Sequence, residues 1–202
     1  MSDMRRSLPN AITLGRLALA ILFFALAARL DASATADPTV AWWAVLVFVV
    51  AALSDVLDGH LARKWQVVTG LGRVLDPAVD KILIIGGLIY LASAPLAPDS
   101  GIAPWMVILV IGREFLVTSL RAVIEGAGGK FPADWTGKSK MFLQCVAVPV
   151  ALGQAAIPNL HASADYRLLA TSIIWAMLVL TALSTIPALV RGRSALSTVV
   201  GR

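Results

Sequence analysis

Apolar residues run along this chain in long stretches, broken by short segments rich in Pro, Gly and charge. A bilayer span needs about 20 predominantly apolar residues. Six stretches approach or exceed that length: Ile12–Leu30, Val40–Ala62, Val74–Ala94, Ile102–Ile124, Ser139–Ile157 and Tyr166–Val190. The expected fold is therefore all-α, one integral membrane domain over residues 1–202 with six transmembrane helices. A short surface segment, Met4–Asn10, precedes them, with Arg5 and Arg6 among lipid headgroups and Pro9 opening the first span. Arg5 and Arg6 before an apolar run ending in Ala25-Leu26-Ala27 also suit a signal peptide, but Arg16 interrupts the run and five further spans supply targeting.

Composition agrees: 58% of the 202 residues are hydrophobic and 14% charged, against about 45–50% and 25% in soluble domains. A soluble enzyme and a disordered chain are excluded, and Cys145, the single cysteine, excludes an internal disulfide framework. The net charge of +5 is explained by the positive-inside bias rather than by nucleic acid. Sorted by alternate sides of a six-span chain, Arg5, Arg6, Arg63, Lys64, Arg73, Arg121, Lys130, Lys138, Lys140, Arg191, Arg193 and Arg202 fall on one side, and only Arg29 and Arg167 on the other. Both termini are thus expected in the cytoplasm. Trp42, Trp43 and Trp105 suit the outer interface, Trp65 and Trp135 the inner one, and Trp175 falls mid-span, in packing.

Bare apolar helices would need no acids, yet Asp55, Asp58, Asp76 and Asp80 lie about the junction of the second and third spans, on the cytoplasmic side. Carboxylates at membrane depth are costly and mark function by default. Asp55 and Asp58 are three residues apart, and Asp76 and Asp80 four, so each pair shares a helix face. A short turn makes the two helices antiparallel, and four carboxylates can converge. Hard oxygen ligands favour Mg²⁺, Mn²⁺ or Ca²⁺ over zinc. Gly59, Ala62 and Gly72 leave room for a ligand near the backbone, and Arg63 can hold a phosphate. Two cations with an arginine suit a diphosphate. Two readings stand beside this one: a salt-bridge network of the acids with Arg63, Lys64, Arg73 and Lys81, and an ion relay in a transporter.

The pattern Asp55-x2-Asp58-Gly59-x2-Ala62-Arg63-x8-Gly72-x3-Asp76-x3-Asp80 resembles the signature of the CDP-alcohol phosphotransferase family. The resemblance implies a six-helix membrane fold, often a homodimer, that moves a phosphatidyl or similar group from a CDP-linked donor to an alcohol and releases CMP. It also implies that Asp55, Asp58, Asp76 and Asp80 hold two divalent cations, Mg²⁺ or Mn²⁺, with Asp80 placed to deprotonate the acceptor hydroxyl. Asp58, Gly59, Ala62, Arg63 and Gly72 would line the CDP site. Asn10 and Arg16 are similar to the family's N-terminal segment that closes the nucleotide pocket.

Arg113-Glu114-Phe115, Ser119-Leu120-Arg121 and Trp135-Thr136-Gly137-Lys138-Ser139-Lys140-Met141-Phe142-Leu143-Gln144 resemble the bacterial phosphatidylglycerophosphate synthases, with Met141 where many relatives have threonine. This implies CDP-diacylglycerol as donor, sn-glycerol 3-phosphate as acceptor, and a bacterial inner membrane with the active site facing the cytoplasm. Glu114, Thr118, Arg121 and Glu125 share a helix face. Arg113, Arg121 and Lys138 are the candidate residues for the acceptor phosphate, whose two charges must be desolvated beside lipid; the alternative is that Arg113 and Glu114 form a satisfied structural pair. A synthase using inositol 1-phosphate needs a similar cationic pocket. An ion-coupled transporter is the alternative of another class. His60, His161 and Cys145 are assigned no role.

Overall fold

The computed structural model describes residues 2–32, 37–65, 70–93, 96–129 and 135–200, and side chains over 14–30, 37–54, 78–93, 96–129 and 135–193. Among the described residues all regular structure is helical: α1 (Ser2–Ala32), α2 (Pro38–Trp65), α3 (Gly70–Leu91), α4 (Ala97–Ser100), α5 (Pro104–Gly126), α6 (Trp135–Ala156), α7 (Pro158–Ala162), α8 (Ala164–Leu183) and α9 (Thr185–Val200).

Side-chain contacts give the directions. Arg16 meets Asp80, and Phe24 stacks on Tyr90 at 6.0 Å, so α1 and α3 run parallel. Phe48 of α2 packs edge-on against Phe23 at 5.2 Å as the chain returns. Lys81 donates to Thr118 Oγ1 at 2.5 Å, whereas Ile85 shares a crevice with Ile111; α5 therefore runs against α3. Lys140 lies level with Asp80 and Lys81 and Val148 level with Gly87, so α6 is parallel to α3. Tyr166 of α8 donates its hydroxyl to the Val150 carbonyl at 3.1 Å as α8 turns back along α6. One end of the bundle thus collects the starts of α3 and α6 and the ends of α2 and α5.

The core forms where these helices touch. Phe23, Phe48, Leu88, Val148, Leu152, Ile174 and Met177 are fully or almost fully buried. Close approach is possible because α3 presents Gly86 to Phe24 and Gly87 to Val148, where a Cβ on Gly87 would stand 2.8 Å from a Val148 methyl. On the outside, Ile108, Phe115 and Leu168 are each 69% exposed and Ile21 61%. Burial of apolar surface is worth about 25 cal/mol per Å², so this outer face favours an apolar surrounding over water.

The expected all-α class holds, with differences in detail. α1 is one helix from Ser2 and passes through Pro9, where a span boundary was expected; proline removes one N–H donor there without ending the helix. The sixth stretch divides at Ser184, and α9 begins two residues before Pro187. Pro98 and Pro158 sit in the first turns of α4 and α7, two short helices that the span pattern does not contain. Trp175 is not enclosed: it is 51% exposed, its ring 6.3 Å from that of Trp105. By length and composition, one helical stretch among the described residues, Ala164–Arg193, is sufficiently long and apolar to cross a membrane, and Pro38–Ser54 is a shorter apolar helix. α5 and α6 are less apolar because they carry Arg113, Glu114, Lys140, Gln144 and Gln154.

Candidate active site

Asp80 stands in the second turn-pair of α3, where the helix faces α1 and α6, and is half-buried. The Arg16 guanidinium, with 3% of its side chain exposed, forms an ion pair with its carboxylate. Arginine seldom tolerates such burial without an anion, and α1 places it there by running alongside α3. Asp80 therefore already has a cationic partner in the protein.

Asp76 is one turn before Asp80 on the α3 backbone, and Asp55 and Asp58 are one turn apart in the second half of α2. The side chains of Asp55, Asp58, Gly59, Ala62, Arg63, Gly72 and Asp76 lie outside the described residues, as does that of Asn10. Asn10 belongs to α1, and the backbone positions of the other seven fall at the bundle end that holds Asp80, on two helices that run opposite ways.

Beside Asp80 is a cavity of about 150 Å³, lined by Asp80, Lys81, Glu114, Lys140 and Gln144 with Ile84, Ile85, Val110 and Met141. Its charged side chains come from three helices, α3, α5 and α6. Lys140, 4% exposed overall, pairs with Glu114 across from α6 to α5. Arg113 Nη1 reaches the same Glu114 oxygen at 3.3 Å, and Lys81 is held by Thr118. A second crevice of about 300 Å³, lined by Ile82, Ile85, Ile111, Phe115 and Thr118, opens between α3 and α5 and shares Lys81 and Glu114 with the first. Apolar and charged spaces therefore adjoin, which is the requirement for a substrate with a lipid tail and a charged head.

The three residues expected around an acceptor phosphate are not gathered in this cavity. Arg113 pairs with Glu114, Lys138 lies 5.9 Å over the Trp135 ring, and Arg121 is half-buried three residues beyond Thr118 on α5. The cavity instead takes Lys81, Lys140 and Gln144. The signal in the sequence was the four-residue step from Lys140 to Gln144, which puts both on one helix face, together with Glu114 as the counter-charge of Lys140.

Known proteins resemble this chain over most of its length. The pattern of the family described as CDP-alcohol phosphatidyltransferase matches residues 6–186. The CDP-diacylglycerol–glycerol-3-phosphate 3-phosphatidyltransferase of Bacillus subtilis (strain 168) is 39% identical over 152 residues, covering 72% of this chain and 76% of its own. The protein of the same name from Rickettsia bellii is 33% identical, over 71% of this chain and 74% of its own. A cardiolipin synthase (CMP-forming) of Streptomyces coelicolor is 31% identical, over 75% of this chain and 67% of its own. With nearly the whole length matched, this chain belongs to the CDP-alcohol phosphatidyltransferase family.

Proposed function

We propose that this chain transfers the phosphatidyl group of CDP-diacylglycerol to sn-glycerol 3-phosphate, giving phosphatidylglycerophosphate and CMP. The observation that carries the reading is the charged cavity beside Asp80, with Lys81 and Lys140 on its wall, in a chain whose relatives are named for that donor and acceptor. A phosphorylated acceptor calls for buried cations; a neutral alcohol does not.

The reaction is a displacement at phosphorus. The acceptor hydroxyl oxygen forms a bond to the phosphorus that bears diacylglycerol, the bond from that phosphorus to CMP breaks, and the hydroxyl proton passes to the Asp80 carboxylate. Arg16 positions that carboxylate through their ion pair. Asp55, Asp58, Asp76 and Asp80 would hold two divalent cations, Mg²⁺ or Mn²⁺. The donor set suits them: Asp80 already takes a cation partner, and the other three stand one turn from it or from each other on two facing helices. Hard carboxylate oxygens favour these ions over softer metals. When bound, the cations supply charge stabilisation to the diphosphate and the leaving CMP. Asn10, Asp58, Gly59, Ala62, Arg63 and Gly72 would line the CDP site, and Arg113, Arg121 and Lys138 would guide the acceptor phosphate inward.

The exposed apolar belt of the helices supports a multi-pass position with six spans in the bacterial inner membrane. Both termini and the Asp80 end would face the cytoplasm, as the distribution of Lys and Arg indicates, with CDP-diacylglycerol entering sideways from the lipid and a homodimer as the assembled form. The test is CMP release by purified protein in detergent, with CDP-diacylglycerol and Mg²⁺ or Mn²⁺, offering glycerol 3-phosphate, inositol 1-phosphate, inositol and serine, with Asp80→Asn as control. Turnover with glycerol 3-phosphate alone is expected. Turnover with inositol 1-phosphate instead would overturn the acceptor, and no CMP with any alcohol would overturn the transferase reading.

A further inference from the structure

Gln144 is the one side chain on the cavity wall whose polar group the described residues leave unsatisfied. It is 2% exposed, and its amide nitrogen is buried without a hydrogen-bond partner among them. Lys140, Glu114, Lys81 and Asp80, on the same wall, all have partners. A buried amide that the protein itself does not pair is costly unless something else in the cavity pairs it. Such a group is explained when a ligand supplies the missing partner.

We propose that Gln144 is a specificity-determining residue that donates its amide N–H to a hydroxyl of the acceptor that does not react; this rests on the phosphatidyl transfer proposed above. Three features agree. Gln144 lies one turn after Lys140 on α6, and both residues line the cavity. The cavity measures about 150 Å³, a space suited to a short polyol. Its remaining wall, Ile84, Ile85, Val110 and Met141, offers nothing that a second hydroxyl could bond. The attacking hydroxyl would point at Asp80 and the adjacent one at Gln144.

The pairing predicts selection against an acceptor that lacks the adjacent hydroxyl. A site built to bond a hydroxyl rejects the deoxy analogue because its own polar group is then left unpaired. The experiment compares glycerol 3-phosphate with 3-hydroxypropyl phosphate, which lacks the middle hydroxyl, in the wild-type protein and in Gln144→Met. Both kcat/KM from CMP release and ligand-induced thermal shift are read. Wild type is expected to prefer glycerol 3-phosphate by about tenfold or more, and Gln144→Met to lose that preference chiefly by a raised KM for glycerol 3-phosphate. The ligand-free melting temperature of the variant is expected to stay close to that of wild type, because the amide nitrogen has no partner among the described residues to lose.

A variant that keeps the preference, or loses rate equally on both acceptors, would overturn the assignment. So would a wild type that does not distinguish the two ligands, a result that needs no variant to fold. Glycerol 3-phosphate shifting the melting temperature of wild type but not of Gln144→Met, without CMP release, would sink the transferase reading and leave the amide's role standing. No shift and no release in wild type would overturn both.

Discussion

Glu114 is the residue on which the charge balance of the cavity can be tested by a single substitution. One of its oxygens serves both Lys140 and Arg113, and the three side chains are 14%, 5% and 10% exposed. Glu114→Ala removes the anion and strands two cations that water barely reaches. Removing one partner of a buried pair costs about 3–5 kcal/mol; because Glu114 itself keeps some exposure, the lower end, about 3 kcal/mol, is expected. For a chain of this length that corresponds to a melting temperature lower by roughly 6–12 °C. Lys140→Met, which strands only the shared acid, should cost less because Arg113 still serves it. The double variant should be more stable than the sum of the two losses by about 2 kcal/mol, since Lys140 no longer sits unpaired beside a missing acid. Thermal unfolding in detergent, followed by circular dichroism, measures all four proteins. A Glu114→Ala protein that melts with the wild type, or a strictly additive double variant, would refute the pairing as an energetic unit.

Asp80→Asn is expected to lower CMP release by about 10²–10⁴-fold while helix content stays unchanged, as befits loss of a proton acceptor; circular dichroism alongside the rate separates this from unfolding. Chelation with EDTA should abolish release and added Mg²⁺ or Mn²⁺ restore it, because the cations would supply the charge stabilisation of the diphosphate and the leaving CMP. Gly87→Ala should destabilise by about 1–3 kcal/mol, because its Cβ would press on Val148 at 2.8 Å, and Val148→Ala in the same protein should recover part of the loss in a thermal melt. Trp135→Ala should change stability by no more than about 1 kcal/mol, since the ring is 80% exposed and offers Lys138 only a distant cation–π contact.

The sequence by itself was sufficient for the helical class and for four aspartates in two helix-spaced pairs, because both rest on local periodicity: three or four residues make a turn wherever the helix lies. The same logic makes Glu114 and Thr118 neighbours on α5, and they do line one crevice. Local periodicity says nothing about which helix faces which. That Arg16 reaches Asp80 depends on α1 and α3 running parallel and pressed together, and the pairing of Lys140 with Glu114 joins residues 26 apart in sequence. The sequence left Arg113 open between an acceptor contact and a pair with Glu114, and the fold pairs it with Glu114; Lys138 lies over Trp135. The end of α1 was equally out of reach of pattern alone, since a proline is compatible with either a helix start or an interior position near it. Gln144 had no sequence signal beyond its step from Lys140. Its burial, with 2% exposed, is a property of the packed bundle that no single segment contains.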